Sequence, residues 1–130
     1  MNGESIGDVE DLLVEDLVQH VEGKFRLGTT RDKRALMGVS AGGFGAMKIA
    51  MRHPNVFGAV ATHSAAILPA DPDELAGSSE RTVMRFLRGS LREQLGDPID
   101  KDKWARQMPM GLVALKKPAD FKGLQIYFDA

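Results

Sequence analysis

The chain has 130 residues, a length that suits one domain and is short for a large enzyme fold. Its composition is ordinary for a globular protein, with 43% hydrophobic and 27% charged residues, which excludes a disordered or fibrous chain. A net charge of −1 gives no bulk attraction to nucleic acid or to an anionic membrane, and the absence of cysteine excludes disulfides, a thiol nucleophile and a thiolate-bound metal.

From the N-terminus, Met1 to Asp8 are polar and lack the basic start and apolar stretch of a signal peptide. No apolar run approaches the roughly 18 residues of a membrane span. With no cysteine, this predicts a cytoplasmic protein. Asp8 to Lys24 reads as an amphipathic helix. Val9, Leu12, Leu13, Leu17 and Val21 recur at helical spacing, with Glu10, Asp11, Glu15 and Glu22 mostly on the other side. Asp8 is placed to cap it. A basic, turn-like stretch leads to the apolar run 34–39, which suits a buried parallel strand. Residues 40–45 form a glycine-rich turn. A helix follows over 43–53, with Met47, Ile49, Ala50 and Met51 available for packing, and Pro54 stops it.

Residues 56–62 are a second strand candidate. Residues 68–79 hold Pro69, Pro72 and Gly77 and read as a loop with room for one helical turn. A helix is predicted over 81–95, interrupted by Gly89 and ended by Gly96-Asp97-Pro98. A short helix around Trp104, an apolar stretch from Pro109 to Leu115 and a third strand at 124–128 complete the chain. The alternation of helices and strands predicts an α/β fold with a parallel sheet, in one domain spanning 1–130, with 68–118 as a helical, cap-like excursion.

Gly38-Val39-Ser40-Ala41-Gly42 fits the pattern G-x-S-x-G. It follows a strand candidate and precedes a helix candidate, which is the context a nucleophile elbow requires. In such an elbow the chain reverses sharply so that Ser40 projects its hydroxyl from the strand end. Side chains two residues away on either side would collide, and glycines at 38 and 42 remove that clash. Gly43 and Gly45 let the helix start close to the sheet. The Ala41 N–H, at the start of that helix, is placed to donate to the oxyanion formed when Ser40 attacks a carbonyl. One such donor is worth about 3 kcal/mol of barrier. The competing reading is a glycine-rich turn that merely contains a serine. A phosphate-binding loop fails because Lys48 follows Met47 rather than glycine, and the dinucleotide pattern fails because its third glycine position is Lys48.

The run from Met37 to Val60 resembles the esterase D / S-formylglutathione hydrolase-like branch of the α/β-hydrolases. It contains Gly38-Val39-Ser40-Ala41-Gly42-Gly43-Phe44-Gly45-Ala46-Met47 and Arg52-His53-Pro54. The similarity continues through Thr62-His63-Ser64, Gly96-Asp97-Pro98, Trp104, Pro109 and Ile126 to Asp129. It includes the acidic helix from Glu10 to Leu17. The resemblance implies a partial α/β-hydrolase fold and a serine-dependent carboxylic ester hydrolase, acting through an acyl-enzyme on Ser40, with no cofactor or metal. In that branch the triad acid lies a few residues beyond the strand at 124–128, and the histidine further on. Several strands, with the loop donating the second oxyanion N–H, precede the acidic helix. The chain therefore looks like the middle of a hydrolase.

For the remaining triad members, Asp129 is the candidate acid at a strand end, set against a structural role there. His20 lies on the first helix, near the end of its apolar stripe, and reads as a structural or surface residue. His53 sits roughly 15–20 Å from Ser40 along the helix, too far to act as base. His63 can emerge at the same sheet edge as Ser40, although its position is not that of the family's triad histidine. The arginines at 81, 85, 88 and 92 read as a solvated stripe, and Trp104, Met108 and Met110 as packing. An alternative from another class is a catalytically inactive remnant that binds or assembles through an exposed sheet edge, since unpaired strand edges recruit other chains. Either reading leads us to expect self-association.

Overall fold

The computed structural model describes residues 9–77 and 93–129. The apolar run before the glycine-rich turn forms β1, Ala35–Val39, and the turn leads directly into helix α2, Ala41–Arg52. β2 spans Ala59–His63 and β3 spans Gln125–Asp129. The three strands pair in parallel in the order β1-β2-β3. This is the α/β architecture expected of a partial hydrolase sheet.

The first helix departs from a single 3.6-residue period. A π-helical segment, Leu12–Leu17, precedes helix α1, Val18–Phe25, which ends on Arg26 in the left-handed region. Hydrogen bonds that reach one residue further per turn under-wind the segment, so residues before and after it no longer share one stripe. Val14 is buried, whereas Val9, Leu12 and Leu17 are exposed. Glu10, expected on the polar side, is instead buried. Its Oε1 accepts from Arg52 Nε at 3.0 Å and lies 2.6 Å from His53 Nε2, and Lys48 Nζ is 4.0 Å from Oε2. Burial holds the Lys48 ammonium below its ordinary pKa, and the facing Glu10 carboxylate opposes that shift. Glu22 and Arg34 form a two-pronged pair at 2.5 and 3.0 Å that ties α1 to the start of β1.

β2 begins three residues later than the sequence suggests. The N–H groups of Val56 and Phe57 both donate to the His53 carbonyl, at 2.9 and 3.2 Å, so these residues continue the turn out of α2. Phe57 is buried as core, and the ladder starts where Gly58 N–H donates to Arg34 O at 3.0 Å. Gly58 is required there, because a Cβ would sit 2.6 Å from the Arg31 carbonyl oxygen.

The chain divides into two compact units, one made of residues 1–66 with 119–130 and the other of 67–118. The first contains the sheet, with α2 packed on β1 and β2. Beside β1 an open apolar groove of about 490 Å³ is lined by Leu13, Leu17, Val21, Leu36 and Phe57 among others. In the second unit, a 3₁₀ turn at Pro72–Gly77 is followed by helices α3, Lys101–Gln107, and α4, Pro109–Leu115. Trp104 is fully buried and its Nε1–H donates to Pro69 O at 2.9 Å. Met108 and Leu112 pack with it in the core, whereas Met110 turns outward. Asp100 caps α3 by accepting from the N–H groups of Asp102 and Lys103, both at 3.0 Å. The cap predicted at Asp8, most of the helix at 81–95 and the arginine stripe lie outside the described residues. Among the described residues no helix is long and apolar enough to cross a membrane.

Candidate active site

The C-terminal ends of the three strands meet on one rung, where Val39 pairs with His63 and His63 with Asp129. In an open parallel sheet this edge is where ligands bind. One residue beyond that rung is Ser40, with φ 54° and ψ −121°. A serine with positive φ is strained, and the strain persists only where its surroundings fix it. Ser40 N–H donates to His63 O at 2.9 Å, and Ser40 O accepts from Phe44 N–H at 3.0 Å. The residue is thereby held both to β2 and to the first turn of α2. Its hydroxyl makes no capping bond to the helix, and the residue is exposed.

The close approach that this reversal requires falls on Gly38 and Gly43. A Cβ on Gly38 would lie 2.2 Å from Gly42 O and 2.6 Å from Gly43 N. One on Gly43 would lie 2.9 Å from the Ala65 Cβ and 3.0 Å from Gly38 O. The expectation for Gly42 and Gly45 is corrected, since a Cβ at either meets nothing within 4 Å. The backbone of Gly42, not its missing side chain, is what Gly38 accommodates. Ala41 is the first residue of α2, and its N–H belongs to the helix's opening turn, which has no intrahelical acceptor. It is therefore available to an anion at the strand end, where the helix dipole also favours negative charge.

Alternation along the strands sorts the neighbouring side chains. Leu36, Gly38, Val60 and Thr62 face α2, and the Thr62 Cβ is what a Gly43 side chain would meet at 3.3 Å. Val39, His63 and Asp129 lie on the opposite face. There His63 Nδ1 is hydrogen-bonded to Asp129 Oδ1, and Tyr127 Oη donates to Asp129 Oδ2 at 3.3 Å. The turn beyond β2 is pinned as well, with Ser64 at φ 48° and its N–H donating to Asp129 O at 3.0 Å. The sequence places Ser40, Ala41 and Asp129 at strand ends, and the fold brings them to one edge. It adds a contact that the sequence did not disclose, the pairing of Asp129 with His63. His53 is held by Glu10 at the far end of α2, and His20 is exposed on α1. Among the described residues no group of three or more His, Asp and Glu side chains is placed to hold a metal ion.

Comparison with known proteins matches residues 3–130 to a family described as "Putative esterase". No curated protein matches the chain. Among solved structures, a ferulic acid esterase is similar at 19% identity with a TM-score of 0.45, over 92% of this chain and 53% of that one. The chain thus spans about half the length of that neighbour.

Proposed function

Because the chain belongs to the putative esterase family, we propose that it carries the nucleophilic centre of a serine-dependent carboxylic ester hydrolase of the esterase D-like branch. Ser40 attacks the ester carbonyl and forms an acyl-enzyme. The Ala41 N–H stabilises the oxyanion, Asp129 acts as the acid that orients a histidine, and water then releases the acyl group. The observation that carries the reading is the strained φ and ψ of Ser40 at the junction of β1 and α2. A turn that merely happened to hold a serine would have no reason to maintain that strain.

The test is covalent capture. A fluorophosphonate ester should label the chain once, with the adduct mapped to Ser40 by peptide mass spectrometry, and Ser40→Ala should not react. No adduct on the wild-type chain, or an adduct that survives Ser40→Ala, refutes the reading.

A second reading, assembly through the sheet, is favoured by one observation. β1 is an edge strand among the described residues, and Met37 and Val39 on its face away from α2 are 83% and 63% exposed. An edge of unpaired peptide groups beside exposed apolar side chains recruits a further strand. Its occupant is a second copy of this chain, and the two readings are compatible.

A further inference from the structure

We propose that Arg31 forms a binding site for a small carboxylate at the edge of the sheet opposite Ser40. Arg31 opens a 3₁₀ turn, Arg31–Lys33, just before β1, and its side chain reaches the turn that precedes β3, where Nη1 donates to Lys122 O at 3.3 Å. Its Nη2 is buried and meets no acceptor among the described residues. The residue lines a hollow of about 260 Å³ together with Asp32, Gly58, Ala59, Gly123 and Gln125. Gly58 and Ala59 open β2, and Gly123 and Gln125 lead into β3, so the hollow lies at the N-terminal ends of the strands whose far ends meet beside Ser40.

A guanidinium stays protonated, so it cannot shed its charge when one of its donors lacks an acceptor. A buried donor left bare costs more when it is ionised, and such groups in folded proteins are met by water or by an ion. The charge of Arg31 is also unbalanced. Asp32 is the carboxylate of the hollow, but it is engaged elsewhere. A hydrogen bond from the Thr30 side chain holds its carboxyl below the ordinary range, and Lys33 Nζ stands 3.6 Å from it. The wall beside the guanidinium carries no side chain. Gly123 has φ 82°, and a Cβ there would stand 3.5 Å from Nη1 and 3.7 Å from Nη2.

These features select the ligand. A single guanidinium matches a planar oxyanion through charge-assisted hydrogen bonds. The Asp32 carboxylate in the same hollow repels a second negative charge, so a monoanion is favoured over a phosphate monoester, which carries about −1.5 to −2 at pH 7. The volume lies below the roughly 300–1,000 Å³ of sites for drug-sized ligands, which limits the acid to a small one. Bound there, a carboxylate ties the turn before β1 to the turn before β3 and stabilises the sheet by linkage. The site does not draw on the nucleophilic reading of Ser40.

The experiment titrates the wild-type chain, Arg31→Gln and Asp32→Asn with sodium acetate and with sodium methyl phosphate at fixed ionic strength. The amide signals of Gly58, Ala59, Gly123 and Gln125 are followed by nitrogen-15 NMR. Expected are saturable shifts of these amides with acetate, weakened about tenfold or more in Arg31→Gln, as loss of a charge-assisted hydrogen bond requires. Methyl phosphate should bind the wild-type chain more weakly than acetate, and Asp32→Asn should narrow that gap. Absence of a saturable shift in the wild-type chain overturns the site, a result that needs no variant to fold. So does an acetate response that Arg31→Gln retains in full. Methyl phosphate binding the wild-type chain as tightly as acetate, or a gap that Asp32→Asn leaves unchanged, overturns the choice of a carboxylate.

Discussion

Replacing Gly38 by alanine tests the elbow directly, with Gly42→Ala as its counterpart. The new Cβ at 38 would stand 2.2 Å from Gly42 O, 2.3 Å from Gly42 C and 2.6 Å from Gly43 N. All three are backbone atoms, so no rotamer change relieves them. Restoring an ordinary 3.4 Å contact displaces the start of α2 by roughly 1 Å, a shift that typically costs a reaction about 100-fold. Overpacking against rigid backbone costs about 3 kcal/mol. With a urea slope of about 1.5 kcal/mol/M, the unfolding midpoint falls by about 2 M. Gly42 also lies in the first turn of α2, but a Cβ there meets nothing within 4 Å. Alanine at 42 therefore gains helix propensity, about 0.5–1 kcal/mol, and raises the midpoint. Urea titrations followed by the α2 amide signals, with Ser40 phosphonylation rates on the same samples, give both readouts. Equal midpoints for the two variants, or a Gly38→Ala chain that labels at the wild-type rate, would refute the argument from close approach.

Three further outcomes are expected. Glu10→Ala withdraws the carboxylate that Lys48, Arg52 and His53 face; breaking such a buried pair costs about 3 kcal/mol, read as a lowered thermal midpoint. Asp100 has its carboxyl held below the ordinary 3.8, chiefly by its hydrogen bond from the Lys103 N–H. A depressed folded pKa contributes stability that is fully present above the unfolded value and is lost as pH falls through the folded one. The protection factors of the α3 amides, taken relative to the intrinsic exchange rate at each pH, should therefore fall on acidification below about pH 4, and Asp100→Asn, which can still cap, should flatten that response. Met37→Lys places a charge on the exposed face of the edge strand. It should shift the wild-type chain from dimer or larger species toward monomer by light scattering, and a wild-type chain that is already monomeric would count against assembly through β1.

Much of the site was legible because its signals are local. The glycines around Ser40, the apolar run before them and Pro54 beyond them lie within about twenty residues, and each acts through backbone sterics that a sequence states directly. Glu10 was not legible. A helical wheel puts it with Asp11 and Glu15, and only the under-winding at Leu12–Leu17 and cations some forty residues away make its burial affordable. The pairing of His63 with Asp129 was hidden for another reason. Taking the second strand as 56–62 leaves His63 just outside it. The observed span, Ala59–His63, makes it the last residue of its strand, as Asp129 is of β3. Two terminal residues of adjacent parallel strands share a rung only once the register is known. The signal available was that each apolar run ends on a titratable side chain.

The alternation that puts Thr62 under α2 and His63 on the other face also constrains chain length. Removing a single residue from β2 would exchange the two, burying an imidazole against the helix and turning a threonine toward Asp129. At this edge, spacing from Gly58 to Ser64 matters as much as residue identity, so single-residue insertions and deletions there should be tolerated far less than substitutions at Ala59 or Ala61.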